Sequence, residues 1–99
     1  MKKTFENVIK ESVPTLVVFQ HVGRQNAVEV KYMFEDLKKK YAGKANLIRV
    51  DASYNEPLWT RFQIHEFPTW VLFKEGEELM REGGHKNEAD LEEMLKRAF

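Results

Sequence analysis

The run Val13-Pro14-Thr15-Leu16-Val17-Val18-Phe19 constrains this chain more than any other segment, because it is apolar except for Thr15 and rich in β-branched residues. Such a run suits a strand covered on both faces, as in a mostly parallel sheet between helices. A strand of this kind needs a layer on each side, and the rest of the chain supplies helices with one apolar face. Thr4 is placed to cap a first helix carrying Phe5, Val8 and Ile9, ending near Glu11 because Pro14 follows. Asn26 with Glu29 three residues later reads as a capping box. Val30, Phe34, Leu37 and Tyr41 then form a core-facing stripe, Glu35, Asp36 and Lys38 to Lys40 cover the solvent side, and Gly43 supplies the stop.

Ala45 to Asp51 reads as a second strand, and strand, helix, strand at this length implies a right-handed parallel crossover. Asn55-Glu56-Pro57 opens a short helix with Leu58 and Phe62 inward. Thr69 to Phe73 and Glu78 to Glu82 flank Lys74-Glu75-Gly76-Glu77 as a hairpin, and Asn87 caps a last helix with Leu91, Met94, Leu95 and Ala98 on its apolar side. The order α, β, α, β, α, β, β, α predicts one domain over residues 1–99, a three-layer α/β/α sandwich around a mixed sheet of about four strands.

Charge narrows the partners. Sixteen basic and sixteen acidic residues cancel, which argues against a nucleic-acid or anionic-lipid footprint. No apolar run approaches the ~20 residues of a membrane span. Met1-Lys2-Lys3 leads into Thr4-Phe5-Glu6-Asn7 rather than an apolar stretch, so no secretory signal is expected. The chain contains no cysteine. That fits a reducing, cytoplasmic setting and removes the thiolate that thiol–disulfide exchange requires.

The strand-to-helix segment from Phe19 to Tyr41 resembles the thioredoxin family without a gap in spacing. The resemblance continues through Val50-Asp51, Pro57, Phe62-Gln63-Ile64-His65-Glu66-Phe67-Pro68-Thr69, the Phe73-Lys74-Glu75-Gly76 turn and Gly84. It covers nearly the whole chain, and its most specific part is Ile-X-X-Phe-Pro-Thr leading into an apolar strand. The resemblance implies a thioredoxin-like fold and a cis Phe67–Pro68 bond, in a loop where the residue before the proline offers its backbone to an extended peptide. The departures fall on the redox chemistry. Arg24 and Ala27 occupy the two cysteine positions, Gly23 stands at the family's tryptophan, and Val18 replaces its buried aspartate. Tyr32 sits at a helix proline, and Arg49 takes the place of a lysine. Ala27 is a size mimic of cysteine but Arg24 is not, which favours a natural loss of activity. The family's N-terminal edge strand has no counterpart ahead of the first helix, leaving Ala45 to Val50 as an expected exposed edge.

These readings place a peptide-binding groove at Gly23, Arg24, Gln25, Glu66, Phe67, Pro68, Gly84 and His85. The competing view is that the loop serves the fold alone. Arg24 at a helix start also suggests an anion site, against which stands an ordinary solvated arginine. His21, His65 and His85 with Glu66 share no metal-ligand spacing and read as surface residues, so no metal or cofactor is expected. Trp59 and Trp70 read as core. The function expected is a redox-inactive module that binds a protein or extended peptide, as a monomer or weak homodimer, with no nucleic-acid or membrane partner and no catalytic residues. The alternative is a thiol–disulfide oxidoreductase of the same family whose cysteines this chain lacks.

Overall fold

The structure, a computed structural model, describes residues 4–21, 23 and 27–99. Four helices and four strands alternate as α1 (Phe5–Ile9), β1 (Thr15–Gln20), α2 (Ala27–Lys40), β2 (Asn46–Asp51), α3 (Glu56–Arg61), β3 (Thr69–Lys74), β4 (Glu77–Gly83) and α4 (Glu88–Lys96). The strands form one mixed sheet in the order β2-β1-β3-β4. β1 pairs parallel to β2, and β3 is antiparallel to both β1 and β4.

Strand alternation sorts the apolar residues into two cores. Leu16 and Val18 of β1 with Trp70 and Leu72 of β3 face α2 and α4, where Phe34, Leu37, Leu91 and Leu95 close the layer. Val17, Phe19, Val71 and Phe73 point the other way, onto Ile9, Ile64 and the half-buried Phe5, Leu58 and Phe62. Every residue of β1 is therefore buried, as its unbroken apolar run demands. The stripe Val30, Phe34, Leu37 and Tyr41 is buried along α2.

Two boundaries and one burial differ from the sequence expectation for identifiable reasons. β1 begins at Thr15 rather than Val13 because Pro14 has no N–H to donate, although its carbonyl still accepts from Asn46 N at 2.8 Å. α1 stops at Ile9 rather than near Glu11. The carbonyls of Ile9 and Glu11 accept instead from Gly76 N at 2.8 Å and Glu75 N at 3.0 Å, docking the β3–β4 hairpin on the helix end. Glu75 and Gly76 both have positive φ, 54° and 85°, the backbone that a two-residue hairpin requires and the reason glycine stands there. Trp59, expected in the core, is half-buried, held at the rim by donating Nε1–H to Ala52 O at 2.9 Å.

Asn87 and Asp90 form a reciprocal capping box at the start of α4, and the Thr4 hydroxyl caps α1. The expected Asn26 cap of α2 lies outside the described residues. Among the described residues no helix is long and apolar enough to cross a membrane.

Candidate functional site

The carboxyl ends of β1 and β2, the entry to β3 and the exit of β4 meet at one end of the sheet. Loops gathered there stand on a rigid support, the usual position of a binding site on an open α/β sheet. The Phe67–Pro68 peptide bond is cis. Its loop is tied on both sides: Thr69 Oγ1 donates to Glu66 O at 2.7 Å, and Gly84 N donates to Pro68 O at 3.0 Å. Buried Trp70 completes the brace by donating Nε1–H to Gly84 O at 2.7 Å. Gly84 adopts φ 90°, a conformation that side chains other than glycine rarely take.

Phe67 is the centre of an aromatic wall. The His21 ring meets it edge-on at 4.6 Å between centroids, and Trp59 meets it edge-on at 5.4 Å. His21 Nδ1 lies 3.4 Å from Ser53 Oγ, which connects the wall to the β2–α3 loop. Among the described residues neither the N–H nor the C=O of Phe67 has a hydrogen-bond partner. A half-buried aromatic residue with unpaired peptide groups offers an incoming extended chain both a backbone ladder and a side-chain contact.

Of the residues expected to form the groove, Phe67, Pro68 and Gly84 are joined directly by the bonds above. The Glu66 carboxylate folds over Gly83, so that a Cβ added there would stand 1.8 Å from Glu66 Oε1. Gly23 and His85 are exposed. Arg24 and Gln25 lie outside the described residues, and with them the expected anion site. Ala27, at the second cysteine position, is buried. His21, Ser53 and Trp59 were not assigned to the groove from sequence. Their place follows from His21 leaving the carboxyl end of β1, and from a tryptophan on a helix too short to bury it. Among the described residues no three His, Asp or Glu side chains cluster as a metal site.

The ion pairs that shift protonation lie along the helices. Arg61, hydrogen-bonded to Glu6, holds that carboxyl below its usual range. Lys40, ion-paired with Glu92 Oε1 at 2.5 Å, lowers the Glu92 carboxyl and is itself raised. These pairs join α1 to α3 and α2 to α4, so they support the frame on which the site stands.

The Thioredoxin family profile matches residues 1–97. The thioredoxin of Staphylococcus saprophyticus is 29% identical over 65 residues, covering 66% of this chain and 62% of that protein. The matched region thus spans less than two thirds of that relative's length. Among solved structures, thioredoxin of Fasciola hepatica superposes with a TM-score of 0.81 at 24% identity, covering 91% of this chain and 85% of that one. A mutant thioredoxin from Halobacterium salinarum superposes with a TM-score of 0.85 at 20% identity, covering 94% and 80%. At these identities the structural likeness is one of fold.

Proposed function

The chain belongs to the thioredoxin family, and from that premise we propose that it is a redox-inactive member that binds a protein or extended peptide at the loop carrying Phe67 and Pro68. The observation that carries the reading is the pairing of Phe67's unpartnered peptide groups with the His21 and Trp59 wall. A peptide laid along this loop gains two backbone hydrogen bonds and an aromatic contact, a small-scale strand addition. Glu66 and Pro68 frame the loop and Gly84 N is bonded to Pro68 O, while Gly23 and His85 enter the proposed groove on the sequence resemblance. The contributions of Arg24 and Gln25 rest on sequence, where Arg24 favours an acidic partner whose binding weakens with added salt.

Inactivity follows from composition. Thiol–disulfide exchange needs one sulfur to attack and another to resolve the mixed disulfide, and this chain holds neither. Insulin reduction with dithiothreitol is expected at the protein-free rate, and a protein-dependent acceleration would refute this part of the reading. Binding is tested on an immobilised library of extended peptides, comparing the unmodified chain with Phe67→Ala and His85→Ala. Selected peptides should lose at least about tenfold in affinity to Phe67→Ala, on the order of 1.4 kcal/mol. They should shift the amides of His21, Phe67, Gly84 and His85. Peptides that bind Phe67→Ala equally well, or shift only residues 46–51, would reject the groove.

A further inference from the structure

The end of the sheet opposite Phe67, where β1 and β2 begin and β3 finishes, holds an open depression of about 690 Å³. Its floor is apolar, made by the buried Pro14, Tyr41 and Ala98 with the half-buried Val13 beside them. The Phe99 ring lies 5.6 Å from that of Tyr41, tilted by 35°, and Phe99 is 57% exposed, so an aromatic side chain lines the depression without being covered. Three lysines stand around it: Lys44 from the turn before β2, Lys74 from the end of β3 and Lys96 from the last turn of α4. Among the described residues no Asp or Glu side chain lines the depression, and none of the three lysines is in an ion pair. The carboxylates nearby are engaged elsewhere. Glu92 is paired with Lys40, and Glu11 Oε1 accepts from Asn46 Nδ2 at 3.1 Å.

We propose that this depression binds a small carboxylate on an apolar body, a medium-chain or aryl acid, with its charge among Lys44, Lys74 and Lys96 and its body over Val13, Tyr41 and Phe99. Lysines at helix ends are ordinary, since they complement the negative end of the dipole, and Lys74 Nζ donates to Ala98 O at 3.0 Å. Helix ends account for cations at this position. They do not account for the apolar surface left open between them, whose volume is that of a small-molecule site, ~300–1,000 Å³. Three like charges with no carboxylate among them fix the sign of the ligand. Phosphate is the weaker fit, because phosphate sites are built on helix N-termini and arginine forks. Here α2 and α4 present their carboxyl ends, whose carbonyl oxygens repel a dianion, and no arginine lines the depression. A monoanion held mainly by apolar contact satisfies both the floor and the rim. The lysines select the charge, each exposed pair adding only a few-fold in affinity.

The experiment is an amide chemical-shift titration of the 99-residue chain with octanoate, kept below its micelle concentration, beside octanamide and acetate. Octanoate should give saturable shifts at Gly43, Lys44, Ala98 and Phe99. Octanamide, with the same body and no charge, should bind at least about fivefold more weakly, and acetate, with the charge and no body, should not saturate over the same range. Lys44→Gln combined with Lys96→Gln should cost octanoate at least about fivefold while leaving octanamide unchanged. Both lysines are exposed, so the fold should be unaffected, which circular dichroism checks; Lys74 is kept because it bonds Ala98 O. Val13→Asp, which sets a carboxylate beside the floor, should remove octanoate binding, and if that variant fails to fold the paired lysine variant decides. The proposal is overturned if octanoate leaves these amides unmoved, if octanamide binds as well, or if the lysine variant binds octanoate unchanged. Octanoate shifting only His21, Phe67 and Gly84 would overturn it too. Peptide binding at Phe67 is measured with other probes and variants, so its outcome is independent.

Discussion

Val18 and Gln20 stand next to one another on the same face of β1, and they show how a single position changes what a fold can do. Val18 is fully buried, where an ionised carboxylate would need a partner to offset its desolvation. Its neighbour on β2, Arg49, is exposed instead of reaching inward. The strand carries a cation with no buried acid opposite it. Gln20 is 5% exposed, and among the described residues its Nε2 has no hydrogen-bond partner. An unsatisfied buried amide costs about 1–3 kcal/mol, so Gln20→Met is expected to stabilise the domain by about 1 kcal/mol. The check is urea unfolding, with a higher midpoint at unchanged slope; a lower midpoint would show that the amide is satisfied. Trp70 makes the opposite case. Trp70→Phe keeps most of the buried ring and loses the bond to Gly84 O, at a cost of about 1–3 kcal/mol. The same variant should move the amide resonances of Gly84 and His85, because the brace of the β4–α4 loop is gone.

Among the elements, the helices are held by their ends and by pairs between them. α4 has a complete capping box, and Asn87→Ala removes the acceptor of Asp90 N at 2.8 Å. The expected loss is about 1 kcal/mol, read by thermal or chemical unfolding, with no change in the cores. The Lys40–Glu92 pair gives a pH dependence whose sign is determined. Lys40 lowers the Glu92 carboxyl in the folded state, so its contribution is present above the ordinary carboxylate pKa and disappears as pH falls through the depressed one. Lys40 is raised, so its share is present below the ordinary lysine pKa and is lost as pH rises through the elevated one. Glu92→Gln should therefore flatten part of the acid limb of the stability curve, leaving the part due to Glu6 beside Arg61. An acid limb unchanged by Glu92→Gln would remove this pair from the explanation.

For the molecule as a whole, β1 is the organising element. Its burial on both faces divides the side chains into two cores, and its carboxyl end delivers His21 to the surface that holds Phe67. The depression among Lys44, Lys74 and Lys96 and the loop at Phe67 lie at opposite ends of the sheet, one offering an apolar floor and charge, the other backbone and aromatic rings. Two independent ligands should shift separate sets of amides, Gly43, Lys44 and Ala98 for one and Phe67 for the other, which titration with each distinguishes.

Element order, the α2 stripe, the hairpin at Gly76 and the caps at Thr4 and Asn87 were all legible in the sequence, because each depends on residues within a few positions of one another. Apolar periodicity, a proline or a capping side chain acts locally, and the absence of cysteine is a matter of composition alone. The early end of α1 was not legible, since it depends on a hairpin some 65 residues later taking the carbonyls of Ile9 and Glu11. Nor was the wall of His21, Trp59 and Phe67. Those residues come from the segment just after β1, from α3 and from the loop before β3, and only the parallel crossover and the antiparallel return of the sheet bring them within ring contact. Local chemistry determined which elements form. Long-range packing alone decided which side chains meet, because contacts between distant segments leave no periodic trace in the chain.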